Sequence, residues 1–311
     1  VAVDGAAVSS AAALISNAGT LTVGSGATIR NLDGTTTSTT QGIAVESSGS
    51  FTHNGTITGV SGKGNTNVVM ITDGLFTMDG AITQSSGARG ARINGSAIMN
   101  MTSGEISYNT LTSAGGAGIL LDNATVNISG GSVSSNTVAG TQTGGGIQTT
   151  HADSVLNISG GSVSNNTAAG RGGGLQIGGN GATVEITGGA IQGNASTGAN
   201  GGAINVDGGA STSVTISGTA NISGNTAATN GGAISIGVAG ARLTVNGGSF
   251  TGNNAGSYGG SINISSTPVV VMSGGTMSGN GANTGGGAVN ISTGSAFTMN
   301  GGSMGNNTSP Q

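Results

Sequence analysis

At 311 residues, with 66 Gly, 5% charged and 2% aromatic residues, the chain has few side chains able to do chemistry and stands far from an average soluble domain. The absence of Cys excludes disulfides and thiolate metal sites, and a net charge of −4 with no Lys/Arg cluster offers no field for nucleic acid. No apolar run approaches ~20 residues, so no transmembrane helix is expected, and the start at Val1 suggests a processed or excised segment.

In chain order, the opening stretch VAVDGAAVSSAAALI is small and apolar. A phrase that begins with an apolar residue after a small-residue turn then recurs, faintly at Leu14, Ile43, Val69 and Ile93. It recurs sharply at Ile119, Ile147, Leu175, Ile204, Ile234, Ile262 and Val289, with separations of 28, 28, 29, 30, 28 and 27 residues. Each unit carries three short apolar phrases, such as Ile204-Asn205-Val206, Val214-Thr215-Ile216 and a third centred on Ile222. Alternation of apolar with polar residues is the period of a half-buried strand. So much Gly penalises helices at roughly 1 kcal/mol per residue, and regular apolar spacing sets the chain apart from a Gly/Ser-rich linker.

This pattern predicts an all-β fold, a right-handed single-stranded parallel β-helix of about eleven coils of roughly 24–30 residues with three short strands per coil. Each coil adds ~4.8 Å, for a rod on the order of 50 Å. One domain spans 1–311, less regular over 1–115 and regular over 116–308. Propeller blades need about 40 to 50 residues, and a sandwich does not repeat one phrase at one spacing. The register lists two inward columns: Val126, Leu156, Val184, Val214, Leu243, Val270 and Phe297, and beside it Ile128, Ile158, Ile186, Ile216, Val245, Met272 and Met299.

Gly-Gly pairs, as at Gly160-Gly161 and Gly188-Gly189, precede the third strand and fit tight corners; a phosphate loop is excluded because the Lys of that motif is missing. Three residues after each third-strand anchor stands Asn, at Asn109, Asn136, Asn166, Asn194, Asn225, Asn253, Asn280 and Asn307. Asn tolerates left-handed backbone, and Asn side chains on successive rungs can bond along a stack, so these eight are expected to form a structural ladder.

Gly-Gly-Ala-Ile at 201–204 and 231–234, with Phe250-Thr251-Gly252-Asn253, resembles the paired tetrapeptide repeats of the polymorphic outer-membrane proteins. The resemblance is clear from about Gly116 to Thr308 and fainter upstream; Phe250 alone supplies Phe in the second motif, with Val, Ile or Met elsewhere. It implies an autotransporter passenger, a right-handed β-helix on a bacterial surface that acts as an adhesin toward host-surface or matrix glycans and proteins.

Catalysis on this architecture, as in pectin lyases and polygalacturonases, would require Asp clustered with Arg or Lys on one strand face. Asp122 and Asp207 share a coil position but lie three rungs apart, roughly 14 Å. His151 and Asp153 sit in the insertion TTHADS, with Arg171 entering the next coil, and read as a solvated loop. His53 takes the inward slot of Met78 and Ile128 and is expected to be partly buried.

Ice binding would use an outward Thr row, but the second-strand row runs Thr22, Thr52, Thr77, Asn100, Asn127, Asn157, Glu185, Thr215, Thr244, Val271 and Thr298. Asn-x-Ser sequences at Asn127 and Asn263 allow surface glycosylation.

No catalytic residue, metal site or cofactor is expected. The function expected is a non-catalytic extracellular or cell-surface rod, an adhesin-like stalk or self-assembling fibre subunit. A polysaccharide-acting enzyme and an ice-binding protein are the alternatives. Neither terminus carries an obvious cap, so the ends are expected to continue in a longer chain or to meet another copy end to end.

Overall fold

A computed structural model describes residues 2–4, 13–33 and 42–310. Among them there is no helix, and every strand pairing is parallel, between equivalent segments one coil apart. The architecture is a parallel β-helix of about ten turns, consistent with right-handed winding. No helix among the described residues is long and apolar enough to cross a membrane.

The coil built from Ile204 shows how the sequence makes a rung. Ile204–Val206 is the first strand, Ser213–Ile216 the second and Asn221–Ser223 the third. A fourth, Thr226–Ala227, follows. This fourth position corrects the expectation of three strands per coil. It escapes pattern reading because two residues are too short to alternate. Second and third strands of successive coils build one sheet, first and fourth strands the other.

The interior columns stack in the expected register. Val126 pairs with Leu156, Leu156 with Val184, Val184 with Val214, Val214 with Leu243, Leu243 with Val270, and Val270 with Phe297. The companion column pairs in step, and both are buried from Val126 to Met272, whereas Met299 is 44% exposed. One medium-sized apolar residue per strand face therefore fills a narrow core, which removes the need for large aromatics.

Upstream of residue 116 the anchors fall differently from the expectation. The residues equivalent to Ile119 are Ala91, Val69, Val45 and Ile15. Of the four faint anchors only Val69 holds its place. Ile93 pairs with Leu121, two residues further along, and Ile43 precedes Val45 by two. A register shift between Ser86 and Ala88 and a small residue at the anchor itself explain the misreading.

The first strands from Leu175 to Ile264 are buried on both faces, as Ile204, Asn205 and Val206 all are. The Gly-Gly-Ala turn folds back over the outward side. Gly201 has a φ of +70°, and a Cβ there would lie 2.7 Å from the Cβ of Asn205. Only Gly accepts both the left-handed backbone and that approach. The motif is a lid on its own strand.

Candidate functional site

The eight asparagines form one continuous ladder. Asn136 is representative: its Oδ1 accepts from both the backbone N and Nδ2 of Asn109, each at 3.0 Å. Its Nδ2 donates to Asn166 Oδ1 at 3.0 Å and to the Ile106 carbonyl at 2.9 Å. The pattern passes through Asn194, Asn225, Asn253 and Asn280 to Asn307. Both amide protons and both oxygen lone pairs are used, so the interior amide has nothing left to offer a ligand.

One expectation about these residues is corrected: the ladder asparagines are not left-handed. The positive φ belongs to the residue before each, at Tyr108, Ser135, Asn165, Gly193, Gly224, Gly252, Gly279 and Asn306. That residue turns the corner, and the following Asn closes it.

On the outer face of the second strand, Asn157 Nδ2 donates to Asn127 Oδ1, and Asn127 Nδ2 to Asn100 Oδ1, each at 2.8 Å. The outward row runs in the expected register from Thr22 to Thr298. Thr occupies no more than three successive rungs before Asn or Val intervenes. The sequon at Asn263 is sealed, since that side chain is 4% exposed.

The charged residues sort by rung rather than by sequence proximity. Asp122 is bridged by Arg92 at 2.5 Å through Oδ2, and its Oδ1 meets His151 Nδ1. His151 therefore pairs with a residue one coil earlier, not with Asp153, although Asp122, His151 and Asp153 border one cleft of about 490 Å³. Arg171 Nη1 reaches Asp207 Oδ2 at 2.9 Å, and Gln176 Nε2 donates to the other oxygen at 2.5 Å. Each aspartate is engaged at both oxygens by side chains of neighbouring coils. Among the described residues no group of three or more His, Asp or Glu could hold a metal.

Two buried polar residues complete the inventory. His53 is fully buried rather than partly so. Its Nε2 lies 3.0 Å from the Ala81 carbonyl and its ring 5.8 Å from that of Phe51. Burial lowers its pKa below the ordinary value, partly opposed by the Ala81 bond. Arg89 is 2% exposed. Its guanidinium donates to Asn67 Oδ1 at 2.7 Å, Asn65 Oδ1 at 3.0 Å and the Gly115 carbonyl at 3.1 Å. Desolvation, with the nearby Arg92 charge, brings its pKa down to about 10 against the pull of Asp122. Nothing in the sequence pattern marks Arg89 as interior.

A second cleft, of about 450 Å³, lies where the turns after the fourth strands meet the outward side of the last first strands. Asn200, Asn230, Tyr258, Asn263 and Asn290 border it. Asn290 Nδ2 donates to Asn263 Oδ1 at 2.8 Å. Asn230 Oδ1 accepts from Tyr258 N at 3.2 Å, and Asn200 Oδ1 from Asn230 N at 3.3 Å.

Against protein-family models, curated proteins and solved structures, the chain has no match.

Proposed function

We propose that this chain is a non-catalytic extracellular or bacterial cell-surface rod, an adhesin-like stalk or a self-assembling fibre subunit. The observation that carries this reading is the outer second-strand row. From Thr22 to Thr298 it presents hydroxyls and amides on all rungs but two, with Glu185 as its one charge and Val271 as its one apolar residue. A polar, nearly chargeless face repeated on most rungs suits many weak contacts along a surface rather than one reaction. Host-surface or matrix glycans and proteins are the partners proposed, and the repeat resemblance to autotransporter passengers agrees with them.

The strand edge that carries Met299 and Met304 is proposed to meet further coils of a longer chain or a second copy stacked end to end. Low charge leaves little repulsion against such stacking. The deciding experiment pairs electron microscopy of the purified chain with binding to immobilised matrix and host-cell surfaces. Rods or filaments that adhere saturably support the reading; monodisperse rods that adhere to nothing overturn it.

The Arg92–Asp122–His151 cluster favours a second reading, a polysaccharide-acting enzyme. Sustained cleavage of acidic or neutral polysaccharides, abolished in Asp122→Asn, would replace the first reading with this one. With both Asp122 oxygens engaged by Arg92 and His151, no turnover is expected.

A further inference from the structure

The cleft bordered by Asn200, Asn230 and Tyr258 is unlike the rest of the surface. The Tyr258 side chain is 42% exposed, on a chain with only two Tyr and no Trp. Its ring rests against Gly285, where a Cβ would stand 3.5 Å from the nearest ring carbon. One side of the ring is thus packed against the backbone of the next rung. The Asn200 and Asn230 oxygens are occupied by Thr229, Asn230 and Tyr258, while their Nδ2 groups donate to no protein atom among the described residues. Such amides on successive rungs are spaced by about 4.8 Å along the axis. No charged residue borders the cleft.

We infer that this cleft is a binding site for a neutral glycan, which lies along the rod axis with one sugar ring stacked on Tyr258 and its hydroxyls bonded by the Asn200 and Asn230 amides. This rests on the adhesive reading and names its ligand class. A flat aromatic face beside uncommitted amide donors matches a sugar, which has an apolar ring face and a rim of hydroxyls. The lack of charge removes any preference for uronic or sulfated polymers. Of the first strands that border the cleft, Ile262–Ile264 is paired on both sides and offers no edge for peptide addition. Val289–Ile291 is paired only with it among the described residues, so an extended peptide is the competing occupant that the glycan titration separates.

The chain carries its own reporter. Tyr108→Phe leaves Tyr258 as the sole source of tyrosine emission. Titrating that variant with cellohexaose, maltohexaose, xylohexaose and chitohexaose should give a saturable emission change with at least one. Polygalacturonate should give none. In the otherwise native chain, Tyr258→Ala should weaken retention on the matching polymer about tenfold, with an unchanged circular dichroism spectrum. Asn230→Ala should weaken it several-fold and serves if Tyr258→Ala fails to fold.

Failure of the native chain to bind any neutral probe, or retention by Tyr258→Ala equal to native, overturns the site. Adhesion to matrix and cells is scored in parallel. If native and Tyr258→Ala adhere equally, only the cleft assignment falls. If the native chain adheres to nothing, the adhesive reading falls with it.

Discussion

Asn194 gives two hydrogen bonds to a single atom of Asn225: its backbone N and its Nδ2 both reach Asn225 Oδ1, at 2.9 and 3.0 Å. Asn225 in turn does the same to Asn253. Removing one amide therefore strands groups on the coils to either side.

Asn194→Leu is expected to destabilise the fold by about 2–4 kcal/mol. It deprives the Val163 carbonyl of its donor and the Asn166 amides of their acceptor in a buried site. Urea unfolding measures this. Asn194→Leu with Asn225→Leu should cost less than the sum, by roughly 0.5–3 kcal/mol, because the two singles break the same bonds. Strict additivity would show the ladder to be a set of independent pairs.

His53 predicts an acid-sensitive stability. Its folded pKa lies below the unfolded value of about 6.5, so the unfolded chain takes up the proton first. The full contribution is present above pH 6.5 and is lost as pH falls from there toward the folded pKa. Thermal melts from pH 8 to 5 should show this loss, and His53→Met, matching Met78 on the next rung, should flatten it. An unchanged slope would mean that the carboxylates dominate.

Glycines at two kinds of corner should respond oppositely. Gly189→Ala should cost about 2 kcal/mol or more: its φ is +73° and a Cβ would sit 2.6 Å from the Gly160 carbonyl oxygen. Gly224→Asn should be within about 0.5 kcal/mol of neutral, since nothing lies within 4 Å and Asn165 and Asn306 hold the same corner elsewhere. Chemical denaturation of the two single variants separates steric closeness from backbone strain.

Arg89→Lys should destabilise by about 1–3 kcal/mol although the charge is kept, because an ammonium cannot span Asn67, Asn65 and the Gly115 carbonyl from one planar group. Faster proteolysis near Asn65 than in the native chain would locate the loosened segment. Cleavage at the native rate would show that this loop is held without the guanidinium.

The columns through Val126 and Ile128 and the ladder from Asn109 to Asn307 were legible because each demands one residue type at one spacing. Strand pairing across a rung was legible for the same reason. The fourth strand was not, since Thr226–Ala227 is shorter than any period. The upstream anchors slipped where Ala91 replaces a large apolar residue beside a bulge. The cleft at Tyr258 was invisible because it depends on a glycine turn folding over Asn205, Ser235 and Asn263, which turns outward strand positions into buried ones. The partner of His151 was not legible either, because Asp122 is distant in sequence and belongs to the coil before.

Every Asn-to-Asn bond of the ladder points the same way: nitrogens give to the oxygen on the next C-terminal rung, while the second Nδ2 proton of each goes back to a carbonyl of the coil before. The rod is thus a vector, its dipoles aligned head to tail rather than cancelling in pairs. Any rung laid beyond Asn307 must bring an oxygen to meet its nitrogens. Two such rods abutting by like ends would set donor against donor at one pair of ends and acceptor against acceptor at the other. Where copies join through this row, they join in one sense only, and a fibre grown from them has distinguishable ends.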